Sequence, residues 1–187
     1  MLNPIPMTGF VDRQSERDAL IDVHKRLLAA VLEVVRQDPN NEILLRECVR
    51  FFDESLWAVT EITPGRKYDT QFVSKGVKEM IEEHNKAPRT WRYDGPYLDW
   101  KGRTDPRTCA EHDHVVPRQQ LRQQLFAVGP DIEGIEDVLR RARGCIVTPV
   151  EHLLLKPHAD VPSLEWERYV LAPVAVWDRT LGDWVKM

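Results

Sequence analysis

Apolar residues at spacings of three and four dominate the first sixty positions, and a chain so patterned must bury helix faces against one another. Ser15 stands as an N-cap before Leu20, Val23, Leu27, Val31 and Val34, and Asp38-Pro39-Asn40 ends that run. A second run passes through Leu44, Leu45, Cys48, Val49, Phe52 and Leu56 and stops before Pro64-Gly65. A third begins near Thr70, sets Phe72, Val73, Val77, Met80 and Ile81 on one stripe, contains Gly76 and closes at Pro88. Residues 12–86 therefore read as a helical hairpin or three-helix bundle.

A chain of 187 residues with 42% hydrophobic and 30% charged residues can build one good core or two small ones, and disordered or low-complexity classes are excluded. Its apolar runs, Leu153 to Leu155 and Val174 to Trp177 among them, fall far short of the roughly 20 residues of a membrane-spanning helix. The first residues lack a basic stretch followed by an apolar one, so the cytoplasm is the expected compartment. Cys48, Cys109 and Cys145 are an odd, scattered set and read as thiols. The formal net charge of -4 gives no global attraction to nucleic acid, so any such function must come from a local site.

The pattern changes after Pro88. Trp91, Tyr93, Tyr97 and Trp100 lie among glycines and prolines without a clean period and suggest a structured loop or an irregular strand pair. A polar helical segment from Gln119 to Phe126, a Gly129-Pro130 turn and a charged helix from Ile135 to Arg143 follow. Gly144 to Thr148 is a brief β-branched run, and Pro149 is placed to open a helix carrying Glu151, His152 and Leu153. Residues 170–185 suggest short strands around Thr180 to Asp183.

Between those regions stands Glu111-His112-Asp113-His114, just before Val115-Val116-Pro117. On an extended strand Asp113 and His114 point to opposite faces unless a bulge or strand end turns both to one site. A carboxylate suits a hard cation, and a neutral imidazole with a pKa near 6.5 can take a proton from water. Residues His112 to Arg118 resemble the first strand of HNH endonucleases, whose usual form is Asp-His-(Val/Ile)-(Val/Ile)-Pro. Residues Cys145 to His152 resemble that family's second strand and the short helix bearing its last histidine. The resemblance implies that Asp113 and His152 hold one divalent metal, Mg²⁺ foremost with Mn²⁺, Ni²⁺ or Zn²⁺ as alternatives, and that His114 is the general base acting on a phosphodiester. The place of the family's middle Asn falls near Arg143, and no Asn follows Asn85.

Arg118 and Arg143 would flank such a site and could contact phosphates, with His112 as a further substrate contact. Between residues 89 and 144 there are 10 Lys or Arg against 9 Asp or Glu, so no basic stripe is present. A rival metal reading joins Cys109, His112, Cys145 and His152 as zinc ligands. The expected architecture is α+β: a helical region over residues 1–88, then an HNH-like ββα-metal module over residues 89–187 with extra helices inserted between its two strands and a C-terminal strand extension. The expected activity is metal-dependent hydrolysis of DNA, with RNA as the second substrate class. The alternative is a catalytically inactive HNH-like protein that regulates or inhibits a protein partner. The helical region would serve homodimerisation or partner binding, and no membrane association is expected.

Overall fold

A computed structural model describes residues 14–60, 70–86, 110–162 and 165–187. Helices α1 (Gln14–Gln37) and α2 (Glu42–Thr60) form the helical hairpin that the periodicity predicts. The face of α1 that reaches the core is a neighbouring one: Ile21, Leu28, Leu32 and Val35 are buried, while Val23, Leu27 and Val34 remain exposed. The apolar arc of α1 is wider than one packing face, and α2 and α5 (Ile132–Arg141), which both pack on α1, decide which half is covered.

Phe72–Ser74 is a strand, β1, where the periodicity had placed the start of a third helix; helix α3 (Lys75–Lys86) begins only after it. The reason is tertiary. β1 lies between β3 (Gly144–Val147), to which it is parallel, and β4 (Val176–Asp178), to which it is antiparallel. With β2 (Glu111–His114) and β5 (Asp183–Trp184) these make a mixed sheet of order β2-β3-β1-β4-β5. No local pattern announces pairings between segments about seventy or more residues apart, and two successive buried apolar residues fit a helix as well as a central strand.

Between β2 and β3 the chain makes α4 (Arg118–Val128) and α5, which return to the first two helices. Leu121, Leu125, Ile135, Val138 and Leu139 share a core with Ile21, Leu28, Phe52 and Leu56. Arg17 is buried within this layer and donates to the carbonyl oxygens of Val59, Leu139, Arg140 and Ala142. These carbonyls belong to the C-terminal ends of α2 and α5, which a buried guanidinium can draw together. Burial, and then Arg143 and Arg140 nearby, lower its pKa to about 10. The fold is α+β, with N-terminal helices and a mixed sheet flanked by helices.

The sheet's two faces carry separate clusters. Val73 and Ile146 pack with Val77 and Ile81 of α3 on one side. Phe72, Cys145 and Val147 pack with Leu155 of α6 (Pro149–Leu155), and with Trp166 and Tyr169 at α7 (Glu167–Leu171), on the other. Glu151 joins the sheet to α6: its carboxylate accepts from Ser74 Oγ, from the Gly76 amide at 3.0 Å, and from the Thr148 amide and hydroxyl at 2.9 and 2.7 Å. Thr148 completes a capping box by accepting from the Glu151 amide. Gly76 is required at this approach, because a Cβ there would come within 2.8 Å of Thr148 Cγ2. Replacing Glu151 with Ala strands these half-buried donors, and urea unfolding should show a loss of about 2 to 3 kcal/mol; an unchanged midpoint would refute the role given to this junction.

Candidate metal and acid-base site

Strand β2 pairs β3 antiparallel and residue for residue: Glu111 with Val147, His112 with Ile146, Asp113 with Cys145 and His114 with Gly144. No bulge interrupts the ladder, so the four polar side chains alternate between the two faces. Glu111 and Asp113 face α6 and α7, while His112 and His114 face the end of α2.

On the first face, α6 starts directly after β3, with Thr148 as N-cap and Pro149 in its first turn. This delivers His152 over the edge strand. Its Nε2 lies 3.6 Å from Asp113 Oδ1, and its Nδ1 contacts Glu111 Oε2. Tyr169 Oη donates to Asp113 Oδ2 at 2.6 Å, and Arg168 donates from Nη2 to Asp113 Oδ1 at 3.2 Å. The same guanidinium donates from Nη1 to the His114 carbonyl oxygen at 2.9 Å, which ties α7 to the end of β2. Burial raises the Asp113 pKa above the ordinary carboxylate value, opposed by Arg168, Tyr169 and His152. Cys145, opposite Asp113 in the ladder, is fully buried and burial raises its thiol pKa well above normal.

On the second face the His112 and His114 rings stand 5.1 Å apart, and Trp57 packs on them at 4.7 and 5.2 Å. Gly144 makes this possible: a Cβ there would lie 2.3 Å from His112 Nε2. The His114 ring is buried, and neither of its nitrogens has a hydrogen-bond partner among the described residues. Its pKa falls well below 6.5, chiefly through burial, with His112, Arg118 and Arg168 adding to the shift.

Of the residues singled out from the sequence, Asp113 and His152 are brought together, and His114 and His112 lie across the sheet from them. Arg118 is exposed in the first turn of α4, its guanidinium 6.0 Å from the Trp57 ring. Arg143 precedes β3, 3.8 Å from Glu165 and 5.9 Å from the Phe72 ring. It lines a cavity of about 750 Å³ with Arg17, Gln71, Trp166 and Trp184. The rival zinc set is not assembled among the described residues: Cys109 lies outside them, and His112 and Cys145 belong to opposite faces. Trp91, Tyr93, Tyr97 and Trp100 also lie outside the described residues.

Among the described residues no group of three or more His, Cys, Asp or Glu side chains is placed to hold a metal ion. Two groups of the kind that ligate metals, the Asp113 carboxylate and the His152 imidazole, are nevertheless adjacent. A carboxylate has about four lone-pair sites, and Tyr169 and Arg168 take one on each oxygen. Mg²⁺ is bound through one or two carboxylates and keeps several waters, whereas an imidazole ligand suits Zn²⁺ or Ni²⁺. Glu111, Arg168, Tyr169 and Trp57 were missed by motif reasoning. Glu111 had a signal, since residues i and i+2 share a strand face; the other three come from distant segments and had none.

The buried imidazole predicts a pH dependence. Below pH 6.5 the unfolded chain takes up a proton that folded His114 refuses, so stability falls as pH drops, by up to about 1.4 kcal/mol per unit. Asp113 acts in the opposite direction, because its proton is held more tightly folded than unfolded. Urea titrations in EDTA across this range should show that His114→Phe loses the imidazole's acid-side slope; an unchanged slope would contradict the burial. No known family, curated protein or solved structure matches this chain.

Proposed function

We propose that the protein is a metal-dependent endonuclease that hydrolyses DNA phosphodiester bonds on an HNH-like ββα unit made of β2, β3 and α6. The observation that carries this reading is the meeting of Asp113, on β2, with His152, on the helix that follows β3, at 3.6 Å. A divalent cation held by these two side chains would neutralise charge on the scissile phosphate and stabilise the leaving oxygen. Glu111 contacts the second ring nitrogen of His152 and so orients it, and Arg168 and Tyr169 orient Asp113. Arg118 and Arg143 are the candidate phosphate contacts, with RNA as the second substrate class.

His114 is the base in this reading. Its ring lies against Trp57, so proton transfer requires the end of β2 to turn that side chain toward the Asp113 face. This placement favours a second reading: a catalytically inactive HNH-like protein that keeps the ββα frame and binds a protein partner as a regulator or inhibitor.

Supercoiled plasmid incubated with the protein and Mg²⁺, Mn²⁺, Ni²⁺ or EDTA separates the two. The nuclease reading expects metal-dependent nicking that falls by about 100-fold or more in Asp113→Asn and His152→Ala, and by about 10- to 100-fold in Glu111→Gln. Absence of nicking with every metal, together with no metal uptake by the wild-type protein, would overturn the nuclease reading and turn the search to protein partners.

A further inference from the structure

The exposed side of α1 has a pattern that the fold does not use. Val23, Leu27, Ala30 and Val34 follow one another at spacings of four, three and four, the a/d rhythm of a coiled-coil seam. Val23, Leu27 and Val34 are 53%, 46% and 51% exposed, whereas an apolar stripe of this regularity normally meets another helix. The core-facing residues Ile21, Leu28, Leu32 and Val35 lie beside it, so the exposed residues are the half of a wide apolar arc that α2 and α5 leave uncovered.

We infer that this seam joins two copies of the chain through an antiparallel pairing of their α1 helices about a two-fold axis. The charges beside the seam choose both partner and direction. When Leu27 meets Ala30 of the partner subunit, Val23 meets the partner's Val34, and each contact recurs by symmetry. In an antiparallel seam with that register, Arg26 falls opposite the partner's Glu33, and Glu33 opposite the partner's Arg26. Both lie on the solvent-side border of the seam, 70% and 39% exposed at the side chain. A parallel pairing would instead set Arg26 beside the partner's Val31 and would form no such charge pair. The surface is thus complementary to itself in one orientation, as a two-fold interface requires. Within one chain Arg26 contacts Asp22 at 2.6 Å and Glu33 contacts Arg36 at 2.7 Å. Such exposed pairs are weak and can be shared across the seam.

Sedimentation velocity and light scattering on the full chain test this inference. The expected result is a reversible dimer at micromolar concentration, abolished by Leu27→Glu while the circular dichroism spectrum is retained. Arg26→Glu should weaken the dimer by about tenfold or more, and the swap Arg26→Glu with Glu33→Arg should restore it, because like charges at this border are opposed in one variant and paired again in the other. A monomeric wild-type protein, a dimer indifferent to Leu27→Glu, or a swap that fails to restore association would each overturn the inference.

Discussion

The uninterrupted pairing of β2 with β3 is the constraint on which the rest of the site depends. With a period of two and no bulge, the ladder sends Glu111 and Asp113 to one face and His112 and His114 to the other. Each pair then meets a different environment. The acidic pair receives His152, Arg168 and Tyr169, which are polar and can hold a carboxylate in a set orientation. The imidazole pair receives Trp57 and the bare backbone of Gly144, and burial disfavours a charge on the His114 ring. Four consecutive polar residues thereby become two chemically distinct half-sites.

Buried charged groups set the geometry around them. Arg17 gathers the carbonyl ends of α2 and α5, which ties the inserted helices to the N-terminal hairpin. Arg168 reaches both Asp113 and the His114 carbonyl, and Glu151 binds the β1–α3 junction to the start of α6. Removing one partner from such a group leaves an unpaired buried polar atom, so each enforces one arrangement of the segments it joins. All three link segments distant in sequence, and Glu151 and Arg168 hold α6 and α7 where they can meet the edge strand.

Much of the fold was legible in the sequence because the relevant signals are local. Pro149 behind Thr148, with Glu151 three residues on, marks the start of α6, and the brief β-branched run before it marks β3. The hairpin of α1 and α2 follows from helical spacing broken at Asp38-Pro39. Strand β1 was not legible, since Phe72 and Val73 satisfy a helical stripe equally well and only pairing with β3 and β4 makes them extended. The approach of His152 to Asp113 was readable as a pairing of motifs, while Arg168 and Tyr169 belong to no motif and enter through tertiary packing alone.

By itself the sequence determined the helical periods, the start of α6 at Pro149 and the identity of the acid and imidazole groups near residues 111–114 and 152, because these depend on neighbours within a few positions, whereas Ser15, read as an N-cap, lies inside α1. Tertiary structure alone decided which apolar stripe of α1 is buried, that residues 72–74 join the sheet, and on which face each member of the cluster lies. The physical reason is the same in each case. A helix wider in apolar surface than its core, a short buried apolar segment and an alternating polar strand all admit more than one local solution, and only long-range contacts select among them.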